Sequence, residues 1–158
     1  MRGENMIYSG FAGIGKTYVA KHAEGVVDLE SSQFQWAAAN RKSIEENKGS
    51  YKEKNQEWPS NYINQIRSEE RMGYTVLISA QPEILSLLHK EGLRFITVTP
   101  NKADQKAYLQ RYMKRGNSIA FVQAMQANFK KYIDSLDNNE DAQYHIKLNR
   151  GDFISKLF

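Results

Sequence analysis

Eight consecutive residues, Gly10-Phe11-Ala12-Gly13-Ile14-Gly15-Lys16-Thr17, fit the pattern G-x-x-x-x-G-K-[ST], whose chemistry is that of a phosphate cradle. Gly10, Gly13 and Gly15 permit backbone conformations that a Cβ forbids, so successive N–H groups can turn toward one anion. A helix starting directly behind them adds the partial positive charge of its N-terminus. Lys16 supplies a point charge for the β- and γ-phosphates, and Thr17 offers a hydroxyl to Mg²⁺. Tyr18 is taken as the last residue of this donor set. A glycine-rich turn can match such a pattern by chance. Here the apolar run Met6-Ile7-Tyr8 in front and the helix-compatible Tyr18-Val19-Ala20-Lys21-His22 behind give the strand–loop–helix context that the motif requires.

Cations form the second group with chemical potential. Segment 101–131 holds Lys102, Lys106, Arg111, Lys114, Arg115, Lys130 and Lys131 against Asp104 alone. That stretch is +6 within a chain of net charge +4, so the remainder is slightly acidic. Basicity gathered in one stretch can serve phosphates bound elsewhere in the same protein. A duplex-tracking surface would spread its cations over several elements, so nucleic acid is a possible partner but not the favoured one. Arg111 and Arg115 stand four residues apart, on one face of a helix. They either meet a ligand or form a solvated surface, and no carboxylates accompany them to favour the latter.

These residues must be held by a larger frame. Val26-Val27-Asp28-Leu29, Tyr74–Ser79, Leu93–Thr99 and Tyr144–Leu148 read as strands after the first. Between them fall helical stretches: one opened by Pro59-Ser60 and ended by Gly73, and one from Pro82 to Gly92. Others run from Pro100-Asn101 to Gly116, from a Ser118 cap to Leu136, and over a short Asp152–Leu157 piece. Strands alternating with helices imply an α/β fold, a parallel sheet with helices on both faces. Ligands of such sheets bind at the carboxyl ends of the strands, where the phosphate loop lies. Residues 37–57 are strongly polar and broken by Gly49-Ser50, and are expected to form a mobile insertion.

At 158 residues the chain is expected to be a single domain, 1–158, as a monomer or a dimer. There is no apolar run long enough to span a membrane and no signal-like apolar region behind Met1, so no membrane partner is expected. The absence of cysteine excludes disulfides and thiolate metal sites and suits a cytoplasmic location. His22, His89 and His145 show no metal spacing.

A phosphate loop first, five strands, and the cationic helix ending Gln110-Arg111-Tyr112-Met113-Lys114-Arg115-Gly116 together resemble the nucleoside monophosphate kinase family. The chain is most similar to small phage-encoded P-loop nucleotide kinases. They carry a stretch like Val27-Asp28-Leu29-Glu30-Ser31-Ser32-x-Phe34 and a Gly73-Tyr74-x-Val76 strand followed by Ser79. The resemblance implies a three-layer P-loop NTPase fold with sheet order 2-3-1-4-5 and a short lid over about 102–118. It implies ATP with Mg²⁺ as donor and a small nucleotide, a (deoxy)nucleoside monophosphate, as acceptor. Lys16 and the loop amides would hold the donor, with Arg111 and Arg115 swinging over the transferred group. Phe34, Trp36, Trp58 and Tyr62 are candidates to stack on an acceptor base, and Arg41, Lys42 or Arg67 to grip its phosphate, with Gln81 nearby.

One departure opens a rival. Many family members end the third strand with a carboxylate for magnesium-bound water, where this chain reads Ser79-Ala80-Gln81. Asp28 and Glu30 can replace it. An Asp at the tip of strand two can equally serve as base for a hydroxyl acceptor, with Ser31 and Ser32 placing that hydroxyl. It can also simply cap or order the loop. The alternatives to the monophosphate kinase are therefore a kinase of a nucleoside or nucleic-acid hydroxyl, and a non-catalytic nucleotide-binding switch.

Overall fold

The computed structural model describes residues 6–36 and 54–158. Arg41, Lys42 and most of the polar 37–57 stretch lie outside those residues. Runs of apolar and β-branched residues form β1 (Ile7–Gly10), β2 (Val26–Asp28), β3 (Thr75–Ile78), β4 (Phe95–Thr99) and β5 (Tyr144–Lys147). Among the described residues these five strands pair in parallel throughout, in the order β2-β3-β1-β4-β5, as the family resemblance implies. The central strands are covered on both faces: Ile7, Val76, Leu77, Ile78, Phe95 and Val98 are all inaccessible to solvent. On the edge, β5 keeps most of its side chains exposed.

Around the sheet lie α1 (Lys16–His22), α2 (Ser32–Gln35), α3 (Ser60–Arg71), α4 (Pro82–Lys90), α5 (Gln105–Lys114) and α6 (Ile119–Asp137). Local chemistry sets their ends. Pro82 occupies the first turn of α4, where its missing N–H costs nothing. Ser118 Oγ accepts from the Phe121 N–H at 3.1 Å and starts α6. Gly116 at φ +79° reverses the chain between α5 and α6, so the basic stretch is two helices joined by a tight turn. Four details differ from the sequence expectation. Residues 102–104 form a 3-10 turn ahead of α5, and the terminal helix is a 3-10 turn, Ile154–Leu157. The short α2 and the antiparallel Trp36–Lys54 bridge have no local sequence signal.

The core runs from the sheet into the phosphate loop itself. Phe11 is 3% exposed and meets Phe129 and Tyr108 edge-on, with ring centroids 5.3 and 6.4 Å away. Burying one such ring contributes about 2–3 kcal/mol, so the second residue of the motif anchors the loop to α5 and α6.

Candidate active site

The loop between β1 and α1 owes its shape to steric limits that differ from one glycine to the next. Gly13 sits at φ +88°, and a Cβ there would lie 3.0 Å from the Tyr112 ring. Gly10 has no unusual dihedral; a Cβ on it would meet Ile14 Cδ1 at 2.4 Å. Conformation excludes a side chain at the first and close packing at the second.

Two residues of α5 fix the loop's carbonyls. Tyr112 donates its hydroxyl hydrogen to the Ala12 carbonyl at 2.7 Å, and Arg111 Nη1 donates to the Gly13 carbonyl at 3.0 Å. In a trans peptide the C=O and the following N–H point opposite ways, so turning the Ala12 carbonyl onto Tyr112 aims the Gly13 N–H away from α5. Arg111 is also sandwiched between the rings of Tyr108 and Phe153, at 4.2 and 4.1 Å from its guanidinium carbon. Phe153 is held there by its neighbours. Asp104 Oδ2 accepts from the Gly151 N–H at 2.8 Å, and the Ile154 N–H donates to the Ile14 carbonyl at 2.9 Å. Arg111, expected to swing over the transferred group, is here engaged with the loop carbonyl and two rings while still lining the space above the loop. Arg115, one turn on, lines the cavity above the loop together with Lys114.

Beneath the loop, Lys16 Nζ donates to the Gly10 carbonyl at 3.2 Å. Burial pushes its pKa down, opposed by the charges of Asp28 and Glu30. The Thr17 hydroxyl donates to Asp28 Oδ2 at 3.1 Å, while Asp28 Oδ1 is buried with no hydrogen-bond partner. Loss of solvent pushes Asp28 up, against the pull of Lys16, the Thr17 bond, the Arg115 charge and an interaction with the Glu30 carboxyl. Glu30 is also pushed up, by loss of solvent and then by the Asp28 charge. Period-two alternation along the extended chain brings both carboxyls to the same side of β2's carboxyl end.

Two cavities, each near 580–590 Å³, meet at this point. Gly13, Lys16, Glu30 and Arg115 line both. The first is the cationic space above the loop, bounded by Arg111, Lys114 and Phe153. The second is a groove along the carboxyl ends of the strands, bounded by Asp28, Gln81, Leu85, Phe121, Met125 and Leu136.

Not every residue proposed from sequence reaches these spaces. Tyr62 is fully buried and donates its hydroxyl hydrogen to the Leu29 carbonyl at 2.6 Å. Its ring packs against Phe34 and Trp58, with centroids 5.2 and 5.5 Å away, so these aromatics hold the segment after β2 and line neither cavity. Arg67 faces Glu91 at 3.6 Å and Asn64 at 3.3 Å, away from both. Ser31 and Ser32 start α2, and the Ser31 carbonyl accepts from the N–H groups of Phe34 and Gln35. Tyr18 is largely exposed and stacks on His22. Ile14 is buried beneath the loop. Sequence reasoning missed Tyr112, Phe153 and the groove wall on α6. Tyr108 and Tyr112, four apart on α5, offer in the sequence only the spacing of an apolar helix stripe.

No helix among the described residues is long and apolar enough to cross a membrane. No family model matches the chain, and no curated protein matches it. Among solved structures it is similar to the tunicamycin resistance protein of Deinococcus radiodurans, at 13% identity and a TM-score of 0.52. The match covers 98% of this chain and 91% of that one. At such identity the likeness is one of architecture alone, an α/β fold with a five-stranded parallel sheet in the order β2-β3-β1-β4-β5 and helices around it.

Proposed function

We propose that this protein is an ATP-dependent phosphotransferase that delivers the outer phosphoryl group to a hydroxyl acceptor. The observation that carries this reading is the carboxylate at the mouth of the groove. Asp28 has one oxygen engaged by Thr17 and the other buried beside Lys16, with the Glu30 carboxyl as its neighbour. An alcohol needs a group to take its proton as it attacks, and a carboxylate with a raised pKa is a better base than an ordinary one. A phosphate acceptor is already ionised and has no use for it.

The donor side supports the same reading. The loop amides and Lys16 would bind the β- and γ-phosphates, and Arg115 would balance charge on the transferred group. The residues present also fit Mg²⁺. Because Thr17 gives its hydrogen to Asp28, the lone pairs of its oxygen are left for a hard cation. When bound, the ion would neutralise charge developing on the phosphates. In the transfer, the acceptor oxygen forms a bond to the γ-phosphorus and the β–γ bridging P–O bond breaks. ADP leaves, and the hydroxyl proton passes to Asp28 Oδ1.

A second reading, the nucleoside monophosphate kinase, is favoured by Arg115, which lines both cavities and can touch two phosphate groups at once. Labelled ATP offered with nucleoside monophosphates, nucleosides and 5′-hydroxyl oligonucleotides separates the two. Label on an alcohol oxygen supports the first reading; label on an acceptor phosphate replaces it with the second. Tight MgATP binding with no transfer to any acceptor points to a nucleotide-binding switch.

A further inference from the structure

We propose that the groove selects an uncharged alcohol with an apolar, ring-sized body. This rests on the hydroxyl-acceptor reading and adds the chemical class of the acceptor.

The two cavities share a mouth but differ in charge. Above the loop, Lys16, Arg111, Lys114 and Arg115 all line one space. In the groove, Lys16, Arg115 and Glu30 recur because they stand at the junction, and Asp28 joins them there. Beyond that junction, the described residues lining the groove carry no formal charge. Its walls are Leu85 from α4 and Phe121, Met125 and Leu136 from α6. Its polar groups there are neutral: Gln81, Ser135 and Asn139 among them. An acceptor phosphate seated there would lose its hydration with no cation to replace it, a cost no binding site of this size offsets easily. A neutral body loses little on entering and gains from apolar burial.

Shape and hydrogen bonding agree. A space of about 580 Å³ is the size of an ordinary small-molecule site. Gln81 Oε1 already accepts from Ser79 Oγ at 3.2 Å, which fixes its amide and leaves the nitrogen to donate. Gln81 and Asn139 can therefore read a carbonyl or ring heteroatom on an otherwise apolar body, while the hydroxyl reaches Asp28.

The test uses the full chain with Mg²⁺ and γ-labelled ATP. Acceptors are nucleosides and aromatic alcohols as the neutral set, with sugar phosphates and nucleoside monophosphates as the charged set. Label is expected on hydroxyls of the neutral set. Met125→Ala should raise the acceptor KM by about tenfold, as expected for an apolar contact removed from a specificity pocket. The affinity for a fluorescent ATP analogue should stay within about twofold, since Met125 lies outside the phosphate cavity. Ser135→Lys, at an exposed position on α6, should impair transfer to the neutral set and shift the preference toward charged acceptors. Transfer to hydroxyls of charged acceptors, with Met125→Ala silent, overturns this inference and leaves the hydroxyl-kinase reading standing. Transfer to acceptor phosphates, or to nothing, overturns both.

Discussion

The space above the phosphate loop and the groove beside it share four residues and almost nothing else. The first is lined by the phosphate loop and the start of α1, by the cations Arg111, Lys114 and Arg115, and by Glu30 and Phe153. The second is built from side chains that arrive from β2, the segment after β3, α4 and α6. A cradle of amides binds one kind of group whatever the rest of the ligand is. A wall of Leu, Phe and Met adapts its shape to one body, and a change of a methylene is felt. On the proposed reading the donor side is therefore general and the acceptor side particular, and the carboxylates stand where the two cavities meet.

Substitutions can break or sharpen that contrast, and the largest effect belongs to the cradle. Lys16→Ala is expected to lower phosphoryl transfer by about 10³-fold, with far-ultraviolet circular dichroism unchanged. Near-normal turnover would mean that the donor does not sit on this loop.

Asp28→Asn comes next, with a loss of about 10²-fold in turnover that would mark its role as base. Its stability effect runs the other way. A carboxyl whose folded pKa is raised binds its proton more tightly in the native state than in the unfolded one. Its stabilising contribution is thus present below the ordinary carboxylate range and is lost as pH rises through the folded pKa. At neutral pH the ionised group is a cost, and the amide removes it. Thermal melts at pH 7 should show a Tm for Asp28→Asn no lower than that of the parent. A clear fall would show that the carboxylate is structural.

Gly13→Ala is predicted to cost about 1–3 kcal/mol of stability in denaturant titration, because it forces a Cβ at φ +88° into the Tyr112 ring. An unperturbed midpoint would contradict the loop geometry. The smallest effect is that of Tyr112→Phe. Losing one neutral hydrogen bond to Ala12 should weaken ATP binding by about 1 kcal/mol, measured by calorimetry, with acceptor KM unaltered.

The sequence carried the frame and the cradle because both depend on local signals. Gly10 to Thr17 spell their own conformation, and runs such as Thr75–Ile78 and Phe95–Thr99 are buried strands in almost any context. Stop signals at Gly92 and Gly116 placed helix ends correctly. Side-chain destinations were a different matter. Tyr62 and Arg67 sit on one short helix and are chemically apt for a ligand. Which way each points is decided by β2's end and by Glu91, distant in sequence. The groove was illegible for the same reason. Met125 and Leu136 look like any apolar helix stripe until α6 is laid beside Gln81. Arg111 reads as a mobile cation, yet its partner Phe153 lies 42 positions away, in a segment with no motif of its own.

That last pairing has a practical side. The stretch around Gly151 to Ile154 behaves as a clasp on the nucleotide loop, fastened through a backbone amide at one point and an aromatic face at another. A protease cut there would blunt ATP affinity while sparing every residue of the motif. Conversely, bound nucleotide should shield the same bonds from cleavage, so the rate of nicking would report loop occupancy without any knowledge of the acceptor.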